Sequence, residues 1–125
     1  MAQHNDTGKL GEKLAAEYLE KVGFTVFDRN YNFEKAEIDI VAYIPEELHF
    51  IEVKTRSNTE HFKPEEAIDE DKKKNIFKAA DFYLYEKQMV TLPAVFSVVS
   101  VALDDPENPD IKLFEDVFRP GSSFH

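Results

Sequence analysis

The sequence predicts an α/β domain with a mixed sheet between helices, in the order helix, three-strand meander, helix, strand. Three observations predict it. Leu10, Leu14, Ala15, Tyr18, Leu19 and Val22 recur at helical spacing near the N-terminus. Three β-branched and aromatic segments follow, joined by connections too short for a helix, which implies antiparallel neighbours. A second helical pattern then separates the third segment from a continuous apolar run, which makes that pair a parallel crossover.

Taken in order, the first helix is capped by Asp6 or Thr7, and Gly23 suits its left-handed end. Residues 24–31 (FTVFDRNY) form the first strand and 32–35 a turn. Residues 37–43 (EIDIVAY) form the second strand, 44–47 (IPEE) a four-residue hairpin loop, and 48–56 (LHFIEVKTR) the third strand. After a polar loop at 57–63, Asp69 caps a second helix reaching about Lys87, with Ile76, Phe77, Ala80, Tyr83 and Leu84 as its buried stripe. Residues 95–103 lack polar alternation, as expected of a strand buried on both faces. An acidic turn with two prolines at 104–110 leads to a last edge strand at 111–117, and the tail at 119–125 frays.

The 125 residues read as a single domain with its core at about 7–118. Fifteen basic against 25 acidic residues give a net charge of −10, so any contact with nucleic acid must use a local patch. With no cysteine, disulfides, thiolate zinc sites and a cysteine nucleophile are excluded, and a reducing cytoplasm is compatible. No apolar run approaches the ~20 residues of a membrane-spanning helix, and the polar start lacks a signal-peptide centre. The expected location is the cytoplasm, away from membranes. Tryptophan is absent, so the 11 Phe residues must dominate the core.

The chemistry concentrates on the second and third strands. If Tyr43 pairs with Leu48 across the hairpin, Asp39 falls opposite Glu52 and Glu37 opposite Lys54. Opposed residues share a face, and alternation adds Lys54 to the face of Glu52, with Val41, Tyr43, Leu48 and Phe50 as the core portion. Opposed carboxylates repel, and a hard divalent cation resolves the conflict. The Val53 carbonyl is a natural third ligand. A bound Mg²⁺ or Mn²⁺ activates water and stabilises charge on a phosphoryl oxygen, and a neighbouring lysine orients that water. The implied reaction is metal-assisted phosphodiester hydrolysis.

These residues carry a resemblance. E-I-D at 37–39 followed by F-I-E-V-K-T-R at 50–56 resembles the core of the PD-(D/E)xK nuclease superfamily, with its restriction-endonuclease-like three-layer fold. More closely, the chain is similar to the small bacterial YraN-like family, related to archaeal Holliday junction resolvases. G-x-x-G-E at 8–12, A-x-x-Y-L at 15–19, R-N at 29–30, P-E-E-A-I-D at 64–69, Lys72 and A-x-x-Y-L at 80–84 extend the similarity over most of the chain. The resemblance implies that Asp39 and Glu52 hold the metal, that Lys54 is the catalytic lysine, and that Glu12 is an additional acid. It implies that Arg56 and Lys72 face the substrate backbone, within a basic patch of Lys72, Lys73, Lys74 and Lys78. It also implies a DNA endonuclease selective for branched or junction DNA in repair or recombination. A four-way junction presents two equivalent strands, which suits a homodimer.

The departures are Ile38 where many superfamily members carry Pro, Ala36 where family members carry Gly, and Val95 and Ser97 where many carry Arg and Asp. Bland readings compete at each position. An E-x-K alternation usually marks a solvated strand face, Glu12 a solvated helix position, and Lys72–Lys74 a charge-balanced helix surface. Glu37 reads as a partner for Lys54 or Arg29, and Arg29–Asn30 as a turn. His4, His49, His61 and His125 show no mutual metal spacing, and His49 faces away from Glu52. The alternative function is a non-catalytic subunit that binds branched or single-stranded DNA or serves an assembly. An interaction protein that lost both properties is a third.

Overall fold

The computed structural model describes residues 2–57 and 62–121, with side chains from residue 7 onward. Helix α1 (Ala2–Lys21) precedes strands β1 (Thr25–Phe33), β2 (Ala36–Ile44) and β3 (Glu47–Arg56). A 3-10 turn at Pro64–Glu66 leads into helix α2 (Glu70–Glu86), followed by β4 (Ala94–Ala102) and β5 (Asp110–Phe118). The five strands lie in sequence order in one sheet. All neighbours are antiparallel except β3 and β4, whose parallel pairing runs through α2. The expected mixed α/β sheet with a helix on each face is therefore the observed fold. Among the described residues, no helix is long and apolar enough to cross a membrane.

Two apolar clusters hold the layers. On one face Ala15, Ala16 and Leu19 of α1 pack against Ile40, Ala42, Ile51, Val99 and Val101. On the other, Ile76, Ala79, Ala80, Tyr83 and Leu84 of α2 pack against Val41, Leu48, Phe50 and Phe96. Strand β4 is buried from Phe96 to Ala102, as its unbroken apolar run requires. The Asp69 side chain accepts the Lys72 amide at 2.8 Å and so caps α2. Gly23 has φ +113 beyond the end of α1, a conformation that favours glycine.

Three local expectations are corrected. Helix α1 begins at Ala2, so Asp6 and Thr7 lie inside it rather than capping it. Leu10 and Val22 are exposed rather than part of the buried stripe, and Val22 lies just beyond the end of α1. The β2–β3 turn has two residues, Pro45 and Glu46, since Ile44 and Glu47 also pair; Glu46 takes φ +74 to make it. Shortening the loop by one residue at each end leaves the register unchanged, and Tyr43 does face Leu48. The loop residue His61 and the last part of the tail, including His125, lie outside the described residues.

Candidate active site

The β2–β3 ladder pairs Ile44 with Glu47 through to Ile40 with Ile51 and then stops. At the next position the Asp39 carboxylate accepts the Val53 amide at 2.8 Å, where a strand neighbour would have bonded. Simple alternation does not put Asp39 there. Ile38 packs in the α2-side cluster and Ile40 in the α1-side cluster, although residues two apart in a regular strand share a face. Strand β2 thus rotates at Asp39. Strand β1 accommodates the rotation at Asn30, between the partners of Ile40 and Ile38, where φ is +55. The Asp39 carboxylate reaches across the gap to the Val53 amide of β3 and lines the α2-side cleft together with Glu52, Lys72 and Ile76.

The other groups reach this gap from both layers. Glu52 follows Phe50 on the α2 side and lines a cleft of about 260 Å³ with Lys35, Ala36, Glu37, Asp39, Lys72, Asn75 and Ile76. Lys54 lies two residues further along β3, with Nζ 3.6 Å from Glu52. A strand residue presents its N–H and C=O to the same side, so the Val53 carbonyl also faces β2. From the α1 side comes Glu12, 20% exposed and 3.9 Å from Arg29. Its position depends on Gly11, where a Cβ would overlap the Thr55 hydroxyl of β3.

The electrostatics are those of crowded carboxylates. Burial, the nearby charge of Glu52 and, more weakly, those of Glu12 and Glu37 push Asp39 up to about 8, against the Val53 hydrogen bond. Burial also raises Glu52, while Lys54 and Lys72 pull it back. Strongly perturbed acids lining a cleft are a mark of functional sites. Two half-buried carboxylates and a strand carbonyl facing one gap match the oxygen donors that a hard divalent cation takes.

The basic residues divide. Lys72 lines the cleft itself. Lys74 and Lys78 line an adjoining groove with Lys35 and Asp71. Lys73 instead pairs with Glu70 at 3.0 Å and lies over the Phe118 ring, so the expected four-lysine patch is not continuous. Arg56 stacks over the Phe62 ring at 5.0 Å and shares a groove with Lys54 and Lys63. Glu37 lies at the cleft rim, and the ladder ends before it could face Lys54. Both cations proposed as its partners have other carboxylates nearby, Lys54 Glu52 and Arg29 Glu12.

One group escaped the sequence reading. Glu47, His49 and Glu115 each place a ligand atom within 4.8 Å of the others, so they could hold a metal ion. Spacing could show that Glu47 and His49 share a strand face, but Glu115 joins them only through the position of β5.

The model of the Uncharacterised protein family UPF0102 matches residues 11–101. A UPF0102 protein of Syntrophus aciditrophicus is 41% identical over 119 residues, covering 95% of this chain and 93% of the relative. One from Bacteroides thetaiotaomicron is 41% identical over 120 residues, covering 96% and 98%. One from Clostridium kluyveri is 34% identical over 117 residues, covering 93% and 96%. The chain belongs to the UPF0102 family, the YraN-like family that its motifs resemble.

Proposed function

We propose that this protein is a metal-dependent endonuclease that hydrolyses DNA phosphodiester bonds. The observation that carries the reading is the convergence of Asp39 and Glu52 at the end of the β2–β3 ladder, with Lys54 3.6 Å from Glu52. Asp39, Glu52 and the Val53 carbonyl would hold Mg²⁺ or Mn²⁺, which when bound supplies charge stabilisation at phosphorus and an acidified water. The Val53 amide holds the Asp39 carboxylate in orientation. Lys54 donates hydrogen bonds to the attacking water or the phosphoryl oxygen and offsets developing negative charge. Glu12 adds a carboxylate from the opposite layer, close enough to raise Asp39. Lys72, Lys74 and Arg56 take the substrate phosphates, giving an acidic chain a local basic rim.

The similarity to junction resolvases favours branched DNA as substrate and a homodimer as the working unit. The test is cleavage of labelled duplex, single-stranded, flap and four-way-junction DNA, with RNA counterparts, in Mg²⁺, Mn²⁺ or EDTA, beside Glu52→Ala. Metal-dependent cutting that the variant lacks is expected. DNA binding without cutting under every condition would overturn catalysis in favour of a binding subunit.

A further inference from the structure

A separate group of possible ligand side chains lies on the sheet face turned away from Glu52. Glu47 and His49 are two apart on β3, and Glu115 reaches them from β5 across β4. The His49 ring is fully buried, with Phe24 packed edge-on at 5.0 Å. Its Nδ1 lies 3.1 Å from Ser97 Oγ, which accepts the Asp116 amide at 3.2 Å. Its Nε2 lies 2.9 Å from Glu47 and 3.9 Å from Glu115. Both carboxylates are about half exposed, so a rigid buried imidazole is aimed at two ligands that solvent reaches.

We propose that Glu47, His49 and Glu115 bind a divalent transition metal of the Zn²⁺ type, tying edge strand β5 to β3. An imidazole nitrogen with two carboxylates suits Zn²⁺ or Co²⁺, whereas Mg²⁺ takes oxygen ligands. Ligands at about 2.0–2.2 Å from a tetrahedral ion stand roughly 3.4 Å apart. The two distances from Nε2 bracket that value, and rotation of the exposed Glu115 side chain closes the longer one.

The protons balance without an outside partner. In the free site, with the ring proton on Nε2 facing Glu47, Nε2–H donates to Glu47 and the Ser97 hydroxyl donates to Nδ1. The metal takes the Nε2 lone pair, and the neutral ring carries its proton on Nδ1 instead. Ser97 Oγ then accepts Nδ1–H as well as the Asp116 amide, since a hydroxyl has two acceptor positions. This is the outer hydrogen bond that fixes a metal-binding histidine.

The site is independent of the nuclease reading, and the test keeps them apart. The 125-residue chain carrying Asp39→Asn and Glu52→Gln, which silence the cleft, is dialysed against Zn²⁺, Co²⁺ or Mg²⁺. One equivalent of Zn²⁺, a Co²⁺ absorption band of low-coordinate geometry and no retained Mg²⁺ are expected. Adding Glu115→Gln or Glu47→Gln should weaken Zn²⁺ binding at least tenfold. Ser97→Ala should weaken it about 10–100-fold while removing no ligand. The two glutamates are partly exposed, so their variants should fold, which circular dichroism checks. Failure of the background protein to retain Zn²⁺, or equal affinity in both glutamine variants, would overturn the proposal.

Discussion

Asp39 takes the Val53 amide through its side chain, at 2.8 Å, one step beyond the last backbone pair of β2 and β3. The bond replaces a ladder hydrogen bond with a carboxylate and leaves that carboxylate beside Glu52 in a half-buried gap. It is both an anchor of the fold and the centre of the candidate site, so substitutions at Asp39 must separate the two roles.

Asp39→Asn keeps an acceptor for Val53 and removes a charge, whereas Asp39→Ala leaves the amide unpaired at a cost of about 1–3 kcal/mol. Thermal unfolding in EDTA at pH 8 should therefore rank the Asn variant above the Ala variant and at or above the parent. Both should lose cleavage. Equal stabilities for the two variants would mean that the Val53 bond contributes nothing.

The metal-free protein should lose stability as pH rises. Asp39 titrates near 8 when folded and near 4 when unfolded. The folded state therefore holds the proton more tightly, and stability present below pH 4 drains away as pH climbs through 8. Urea midpoints measured from pH 4 to 9 in EDTA should fall, and Asp39→Asn should flatten the decline. Saturating Mg²⁺ should flatten it too, by favouring the ionised pair. A slope unchanged in Asp39→Asn would remove that carboxyl from the titration.

Lys54→Met should reduce turnover by about 10²–10⁴-fold, the usual contribution of a positioned proton-transfer group. Metal affinity should not fall, because lysine supplies no ligand. Calorimetric Mg²⁺ titration beside cleavage rates separates the effects; parallel losses in both would recast Lys54 as a support for Glu52.

Lys72→Ala and Lys74→Ala should each weaken DNA binding and lower the salt slope by about one. Lys73→Ala should do neither, because its amine already lies on Glu70. Fluorescence anisotropy across a salt series distinguishes them. An effect of Lys73 equal to that of Lys72 would mean the helix binds by charge alone, without the cleft.

Gly11→Ala should destabilise by roughly 1–3 kcal/mol through overpacking against Thr55, with partial recovery in Gly11→Ala/Thr55→Ala. It should also cut activity by displacing the adjacent Glu12. Full activity in a displaced, destabilised variant would separate Glu12 from the reaction.

By itself the sequence determined the order of elements, the meander followed by a crossover, and the pairing of Tyr43 with Leu48. Periodicity and connection length are local properties, so they can be read along the chain. From them, Asp39 and Glu52 could be placed at the same level of neighbouring strands. The tertiary structure alone decided how Asp39 is aimed. Strict alternation puts it on the α2-side face, where it lines the cleft with Glu52; the rotation between Ile38 and Ile40, beside the positive φ of Asn30, accompanies its bond to the Val53 amide, which spacing does not show. Asparagine tolerates that conformation without announcing it as glycine would. The division among the lysines of α2 likewise depends on what each meets, Glu70 and Phe118 for Lys73 and the cleft for Lys72. The Glu47–His49–Glu115 group was hidden for the same reason: its third member comes from a strand 66 positions beyond His49, and only sheet order brings them together.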